Sequence, residues 1–511
     1  MTYSREWQTR TGFLLALVSV TVGATGCSGC DKGSPVGADG GGTSSSASPD
    51  GASPLANGAA VLSSEAGVDD TRCVESEAAV VADKSIRLDA GITLVRLADG
   101  RIAVGWASGE GIAKAAVVDA SGKLTMLEVD TSGIPELATK PAPKTLRTIL
   151  RITPFAPDGT SPKVRVAIDL LEVASDKTRW IRCGAADKKP LFELKGKSAY
   201  DGVGSGAAAA AEIYDCRTYV DGDREWAMAS ELRPAEGGGD AYEARWLVAS
   251  RASDPAAPPT PMTVIETRKI ETQKDKTPPR ADRHVFQVPT AVATPTGFVV
   301  VSRYNGQIVI ARLGGSLAPE GKTVAHWLGV PTGSPALATR VDPAATGAVT
   351  SLLAAALGKI DLYGITFPSA PGKLAAIPIP TALTITEPET KAPEDSAGAD
   401  RTAVSAGYTN HGELVVGYTL GPATKKRARL AMLGGAGLAA LGPAIAISDS
   451  DHVPEVRVAP LGDGRVLVAW AAQKPGGFAL TTAVYRCGPP DPLATVLAGD
   501  VSGDGGPSGD R

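Results

Sequence analysis

The sequence predicts an all-β fold built from one strand-rich unit that recurs along the chain. The first observation is a repeated phrase: "RLADGRIAVGWAS" (96–108) and "PLGDGRVLVAWAA" (460–472) are nearly the same, and their turn glycines, Gly100 and Gly464, lie 364 positions apart. The second is the composition. With 59 Gly, 38 Pro and only 5% aromatic residues among 511, the chain favours short strands and frequent turns over long helices.

The repeated phrase contains the pattern of a strand that follows a hairpin turn. Four copies align on the turn glycines Gly100, Gly297, Gly412 and Gly464, and branched aliphatic residues stand two and four positions after each. Alternation with period two indicates a strand, and a glycine after Asp, Thr or His is typical of a hairpin turn. Because the intervening positions are also mostly apolar or small, we expect these strands to be covered on both faces.

Two further positions of the phrase have a predictable role. The fifth residue after the glycine is small in every copy: Gly105, Ser302, Gly417 and Ala469. The sixth is large: Trp106, Arg303, Tyr418 and Trp470. We expect the small residues to allow close approach between neighbouring units. We expect Trp106 and Trp470 to pack in the core rather than form a site.

Weaker copies of the pattern fill the gaps between the strong ones. They lie around Gly159, Gly222 and Gly347, so that seven turn glycines follow one another at an average spacing of about 61 residues, a period that indicates a repeat architecture. Such a unit holds about four strands, the size of a slightly long propeller blade. In this arrangement residues 73–490 resemble seven-bladed β-propellers, including repeat-propeller lipoproteins of Gram-negative bacteria. The alternatives are two packed β-sandwich domains, or a propeller of six or eight blades.

The two ends of the predicted propeller complement each other. The last unit contains three predicted strands, near 455–459, 465–471 and 479–487, and "GPPDP" then prevents a fourth. The segment "CVESEAAVVADKSIRL" (73–88) supplies one or two spare strands before the first unit. We therefore expect an N-terminal strand to complete the final blade and close the ring.

The cysteines predict disulfides rather than a metal site. Four of the six fall in the body, and an even number in an exported protein favours disulfides. Ring closure would place Cys73 beside Cys487, while Cys183 and Cys216 flank a Gly- and Ala-rich insert and would join adjacent strands. Free thiols and another pairing are the alternatives. No metal is expected, because the body contains no CxxC pair and no His next to a Cys.

The N-terminus has the pattern of an export signal, which we assign to residues 1–26. Arg5 and Arg10 provide the positive region, and "GFLLALVSVTVGA" (12–24) is an apolar stretch of about 13 residues, too short to span a membrane as a helix. Residues 27–72 are rich in Gly, Ser, Ala, Pro and Asp, a composition that predicts a flexible linker. The same composition predicts a disordered tail at 491–511.

The residues that follow the apolar stretch resemble the lipobox of bacterial lipoproteins. "ATGC" ends at Cys27, although Ala24 stands where Leu is commonest in that family. The resemblance implies that Cys27 becomes the acylated N-terminus. Cys30 is an alternative site, and "VGA" (22–24) would also suit ordinary signal peptidase, giving a soluble exported protein.

The residue after the acylated cysteine predicts which of the two bacterial membranes holds the lipid anchor. Ser28 indicates the outer membrane by the enterobacterial sorting rule, facing the periplasm or the cell surface of a Gram-negative bacterium. Asp31, which follows Cys30, would instead suggest retention in the inner membrane.

The net charge of −4 and the lack of a basic stripe argue against a nucleic-acid partner.

No catalytic motif stands out in the chain. "GGSLAPEGKT" (314–323) lacks the glycine spacing of a phosphate loop and predicts a hairpin turn, and GxSxG is absent. Propeller glycosidases and sialidases are the best enzymatic analogy, since "GDGRVLVAW" (462–470) resembles their strands. Their S-x-D-x-G-x-x-W box is missing, however. Four arginines fall on predicted strands, with nothing in the sequence to bring them together: Arg147, Arg151, Arg340 and Arg457.

The resulting functional hypothesis is a binding protein without a catalytic residue or cofactor. We predict a monomeric, membrane-anchored exported lipoprotein whose propeller serves as a rigid platform for a protein or glycan partner. The alternative is a secreted carbohydrate-active hydrolase or lyase on the same scaffold. Two long loops that break the repeat, at 266–284 and 386–402, are candidate surfaces, although solvated linkers between blades are the simpler explanation.

Overall fold

The described structure lies between residues 73 and 487. The computed structural model describes these residues except 98, 139–140, 142–143, 156–162, 177, 198–210, 222–223, 237–240, 252–261, 271–284, 328–335, 341–348, 357–358, 367–382, 387–402, 422–423, 435–438 and 443. The predicted signal peptide, linker and tail lie outside it, as do most of both long loops. All described strands belong to one compact unit.

The described residues form antiparallel sheets joined by turns, with short 3-10 helices at Leu88–Ala90 and Pro135–Ala138. Blade 1 consists of β2 (Thr93–Arg96), β3 (Ile102–Ala107), β4 (Ala113–Val118) and β5 (Leu124–Asp130). Blade 2 consists of β6 (Leu146–Pro154), β7 (Lys163–Val173), β8 (Thr178–Cys183) and β9 (Phe192–Lys197). Blade 3 consists of β10 (Glu212–Asp221), β11 (Arg224–Pro234), β12 (Tyr242–Arg251) and β13 (Thr263–Ile270).

The second half of the chain repeats this plan. Blade 4 consists of β14 (Gln287–Thr294), β15 (Gly297–Tyr304), β16 (Gln307–Gly314) and β17 (Val324–Trp327). Blade 5 consists of β18 (Ala336–Arg340), β19 (Val349–Ala356), β20 (Lys359–Thr366) and β21 (Leu383–Thr386). Blade 6 consists of β22 (Val404–Tyr408), β23 (Leu414–Leu420) and β24 (Arg427–Gly434), whose outer edge pairs with both β25 (Ala439–Ala440) and β26 (Ile445–Ala446). Blade 7 consists of β27 (Glu455–Gly462), β28 (Arg465–Lys474), β29 (Gly477–Cys487) and β1 (Cys73–Ile86).

The blades form a closed ring. The first strand of each blade contacts the first strand of the next, and β27 of the last blade contacts β2 of the first. Blades 1 and 2 are also joined along their edges, where β5 runs parallel to β7. The prediction of an all-β, seven-bladed propeller of about four strands per blade is confirmed.

The ring closes through the N-terminal strand. β1 pairs with β29 antiparallel, with Cys73 opposite Cys487, and the two cysteines form a disulfide. The indole N–H of Trp106 in blade 1 donates to Asp83 of β1 at 2.9 Å, so the closing strand is also held by the neighbouring blade. The N-terminal segment, which was expected to supply one or two strands, forms a single strand of 14 residues.

The second disulfide joins blades 2 and 3. It links Cys183, the last residue of β8, to Cys216 in the first strand of blade 3. Both cysteines are fully buried in the apolar seam between these blades. The expectation of disulfides in the body is therefore confirmed.

The hydrophobic core is divided among the seams between blades. Each of the seven larger clusters takes its buried side chains from two neighbouring blades of the described chain. Every residue of β3 is buried, as expected for a strand covered on both faces. Trp106 and Trp470 are 0% and 4% exposed, which confirms that they are core residues.

Polar contacts at the inner strands fix one blade against the next. At the seam between blades 7 and 1, Glu455 accepts a hydrogen bond from the Ile92 backbone N–H at 2.8 Å, and Arg457 donates to the carbonyl oxygen of the same residue at 3.1 Å. At the seam between blades 3 and 4, Tyr219 donates its hydroxyl proton to the Pro289 carbonyl at 2.5 Å. These bonds satisfy buried backbone groups across seams that are otherwise apolar.

The turn glycines adopt the backbone conformation that the pattern predicts. Gly464 has φ of +68° and follows Asp463 at +51°, two positive values in succession that are typical of a type I′ hairpin turn. Gly100, Gly297 and Gly412 also have positive φ. Gly159, Gly222 and Gly347 lie outside the described residues.

The small fifth residue of the repeat is required by close approach between blades. A Cβ atom at Gly105 would overlap the Ile152 carbonyl oxygen of the next blade, and one at Gly417 would lie 2.6 Å from a methyl carbon of Val458. We expect Gly105→Ala to lower the free energy of unfolding by about 1–3 kcal/mol, because the overlapping atom belongs to the backbone and cannot rotate away.

Chemical denaturation measures this effect. Gly196→Ala is the matched control, since Gly196 also lies in a strand but has open space where the Cβ would be. Equal stability of the two variants would contradict the close-approach interpretation.

Candidate ligand-binding cleft

An open cleft of about 340 Å³ lies on blade 2, on the side that faces blade 1. One wall is the connection between the two blades, with Gly133, Pro135 and Glu136. The other walls are β8, the start of β9, and the loop between them. The residues that line it are Gly133, Pro135, Glu136, Trp180, Arg182, Asp187, Lys188, Lys189, Pro190 and Glu193.

The floor of the cleft follows from the two-residue period of β8. Ile181 and Cys183 point toward blade 3 and join its apolar seam. Trp180 and Arg182 therefore face the opposite way, where the Trp180 ring joins the seam with blade 1. The indole N–H donates to Glu193 at 3.0 Å, and the Lys195 ammonium lies 5.4 Å from the ring centroid.

The loop of residues 184–191, which we call the cleft loop, is fastened from below by Arg182. Arg182 is 3% exposed, and its guanidinium donates to three backbone carbonyl oxygens of the loop. The distances are 3.3 Å to Gly184, 2.8 Å to Ala185 and 2.8 Å to Lys188. Burial lowers the pKa of Arg182, and nearby carboxylates oppose this shift.

Blade 3 fastens the same loop with a buried ion pair. Glu225 accepts a hydrogen bond from the Ala185 backbone N–H at 2.6 Å, and its other carboxylate oxygen lies 3.4 Å from Arg251. Arg251 also donates to the Lys189 carbonyl oxygen. Burial raises the pKa of Glu225, while the Ala185 N–H and Arg251 act in the opposite direction. Both side chains are under 5% exposed, so removal of one leaves the other buried without its charge partner.

The rim of the cleft loop presents charged groups to the solvent. Asp187 pairs with Arg165 at 2.9 Å. Lys188 is half-buried and Lys189 is exposed. Within the described part of the chain, neither ammonium has an ion pair. Desolvation and the nearby Arg165 lower the pKa of Lys188. The cleft thus combines free cations, carboxylates and an indole floor, the kind of mixed lining that fixes a small polar ligand.

Of the four arginines singled out in the sequence, the three whose side chains are described lie in blades 2 and 7 and do not form one site. Arg147 pairs with Glu172 at 2.7 Å in blade 2, and Arg457 pairs with Glu455 at 3.1 Å in blade 7. Arg151 lies over the Tyr219 ring, 4.7 Å from its centroid. Arg340 is in β18 of blade 5. Ion pairs and packing explain the three whose side chains are described.

A polar cluster that the sequence did not indicate lies at the inner edge of blades 2 and 3. Arg217 pairs with Asp215 at 2.7 Å. Asp169 is 1% exposed and accepts hydrogen bonds from Thr218 at 3.0 Å (backbone N–H) and 2.5 Å (hydroxyl). Burial raises the pKa of Asp169, against the opposing effect of Arg217.

The tyrosine of this cluster is equally engaged. Burial raises the pKa of Tyr219 to about 12, and its hydroxyl donates to Pro289. Asp169 is bonded across the seam between blades 2 and 3 and Tyr219 across the seam between blades 3 and 4, while Arg217 pairs with Asp215 in the same strand. We assign this cluster to holding blades 2, 3 and 4 together.

Other motifs from the sequence have structural roles. The segment at 314–323 forms a turn after β16, in which the Gly314 N–H donates to the Ala318 carbonyl, as predicted for this stretch. His452 accepts a hydrogen bond from the Lys426 backbone N–H at 3.1 Å. Among the described residues, no group of three His, Cys, Asp or Glu side chains is placed to hold a metal ion. The described part also contains no helix of the length and apolarity needed to cross a bilayer.

The sequence did not identify the cleft. Its floor, rim and fastening residues come from three blades, and none stands in a motif. The available signal was loop length: "GAADKKPL" (184–191) is longer than two-residue turns such as those that follow β14 and β15, and long loops concentrate function.

Comparisons with known proteins find only distant structural likenesses. No protein-family model and no curated protein sequence matches the chain. Among solved structures, a lectin from Aleuria aurantia is 10% identical, with a TM-score of 0.31 over 71% of this chain and 96% of that chain. The NanB sialidase from Streptococcus pneumoniae is 8% identical, with a TM-score of 0.38 over 80% and 70%. The Dos1 propeller is 10% identical, with a TM-score of 0.34 over 80% and 94%.

Proposed function

We propose that this chain is an exported lipoprotein, anchored to the outer membrane through Cys27, whose propeller is a rigid platform that binds a glycan or protein partner at the cleft. The observation that carries this proposal is the disulfide between Cys73 and Cys487. It sits at the first residue of the closing strand, where a tether from the membrane would enter the body.

Force transmitted along such a tether acts first on β1. Without a covalent bond, that force would peel β1 from β29 one hydrogen bond at a time and open the ring. With Cys73 bonded to Cys487, the load passes directly into β29, which is paired along its length with β28. A covalent bond at the point where the tether enters would keep the propeller folded while it is anchored and bound to a partner, which supports the platform function. The two disulfides also suit an oxidising compartment.

Mass spectrometry of the mature N-terminal peptide tests the anchor. We expect an acylated Cys27 as the first residue, and we expect Cys27→Ala to move the protein from the membrane fraction to the soluble fraction. Cys30→Ala is the matched control and should stay in the membrane. An unmodified N-terminus at Thr25 would contradict lipid anchoring and indicate ordinary signal-peptide cleavage.

The platform part of the proposal is tested by binding. The soluble Cys27→Ala protein, otherwise full-length, is applied to a glycan array and to purified envelope proteins. Saturable binding of a glycan or protein is expected, and its absence across both sets would contradict a platform function.

A carbohydrate-active enzyme is the second candidate, because two glutamates, Glu136 and Glu193, line the same cleft. Glycoside hydrolysis generally uses a pair of carboxyl groups. Reducing-end release from a broad glycan panel, abolished by Glu193→Gln, would establish this alternative. Absence of turnover would contradict this alternative, and turnover unaffected by the substitution would show that Glu193 does not carry the activity.

A further inference from the structure

The cleft loop shows which chemistry the cleft is built to recognise. Its carbonyl oxygens at Gly184, Ala185, Lys188 and Lys189 are turned inward onto two buried guanidinium groups, those of Arg182 and Arg251. On the outward side stand the ammonium groups of Lys188 and Lys189, together with Asp187, whose carboxylate is paired with Arg165. A loop that hides its acceptors and displays cations favours an anionic ligand.

The setting of Lys188 supports this preference. Desolvation lowers the pKa of its ammonium, with Arg165 and Arg251 acting in the same direction and Asp187 and Glu225 opposing them. An anion bound beside this half-buried ammonium would offset part of the desolvation cost.

The rest of the cleft narrows the class of anion. Glu136 and Glu193 line the same cleft as the lysines, and their carboxylate oxygens suit hydroxyl donors and would repel the repeated phosphates of a nucleic acid. Trp180 contributes an indole at the floor, with its N–H already bound to Glu193. A ligand that meets both sides carries one carboxylate and several hydroxyl groups.

We propose that the cleft binds a carboxylated sugar residue of an acidic polysaccharide. Lys188 and Lys189 receive its carboxylate, and Glu136 and Glu193 accept hydrogen bonds from its hydroxyl groups. This inference rests on the proposed binding function and names the ligand class for the same cleft.

Calorimetric titration of the Cys27→Ala full-length protein tests the proposal. The probes are oligomers of galacturonate, of glucuronate and of mannuronate, each paired with its methyl ester, which keeps the sugar and removes the charge. We expect at least one acid to bind and its ester to bind much more weakly. Lys188→Gln with Lys189→Gln should weaken binding about tenfold or more, as expected for the loss of charge-assisted hydrogen bonds.

A charge-matched variant serves as the control. Lys84→Gln with Lys474→Gln removes the same charge from exposed sites on blade 7 and should leave the affinity unchanged. Equal losses of affinity in both double variants would show that general electrostatic attraction causes the binding, and would contradict the proposed site. Failure of all three acids to bind would overturn the ligand class. If a neutral glycan or a protein binds instead, the platform function stands and only this inference fails.

Discussion

Replacement of both Cys73 and Cys487 by serine is expected to give the largest loss of stability of any change considered. The disulfide closes a loop with a sequence separation of 414 residues, for which the chain-entropy model gives a stabilisation of about 6 kcal/mol. The matched control is the serine variant of Cys183 and Cys216, with a separation of 33 residues and about 4 kcal/mol on the same model. Denaturation of the two variants in parallel measures the difference.

Loss of the Cys73–Cys487 disulfide should loosen one particular part of the structure, the closing strand and its neighbour. β1 carries several register shifts against β29, and Val74, Val80 and Val81 on it are more than 40% exposed, so few buried contacts retain it once the disulfide is gone. Hydrogen exchange should therefore accelerate first in β1 and β29, before the first strands of blades 3 and 4. Uniform acceleration around the ring, or a smaller loss than in the control variant, would contradict the closing role of this bond.

The ring and its closure could be predicted from sequence because they depend on repeated local patterns. Four of the units show the same turn glycine, alternating aliphatic residues and small fifth residue, and the missing strand of the last unit is visible as a spare strand at the N-terminus. Gly105 illustrates the physical basis of this pattern. The Ile152 carbonyl of the next blade comes so close that only glycine fits at this position.

The cleft could not be predicted because its parts carry no shared local signal. Arg182 and Glu225 are 43 residues apart and lie on different blades, and each looks like an ordinary charged residue within a strand. Only the packing of blade 2 against blade 3 shows that both act on the backbone of one loop. The inner cluster of Asp169 and Arg217 was missed for the same reason, since its meaning depends on which strands become neighbours.

Glu225→Ala is expected to give a loss of stability about as large as that of the variant lacking Cys183 and Cys216. It leaves Arg251 buried at the seam without its carboxylate partner, which typically costs about 3–5 kcal/mol. It also removes the acceptor of the Ala185 N–H, so hydrogen exchange in the cleft loop should rise. Chemical denaturation measures the first effect, and exchange at Ala185 measures the second.

A second variant separates the stability of the fold from the shape of the loop. Glu225→Leu combined with Arg251→Met removes both charges and keeps apolar volume, and replacing a whole buried ion pair in this way is often neutral or stabilising. We expect the double variant to recover most of the lost stability but not the protection of Ala185, because the loop still lacks both fastenings from blade 3. If the ion pair serves to position the loop, the recovered protein should still bind the acidic sugar more weakly than the parent. Full affinity in a stable double variant would show that Arg182 alone holds the loop, and that the buried pair serves only the seam between blades.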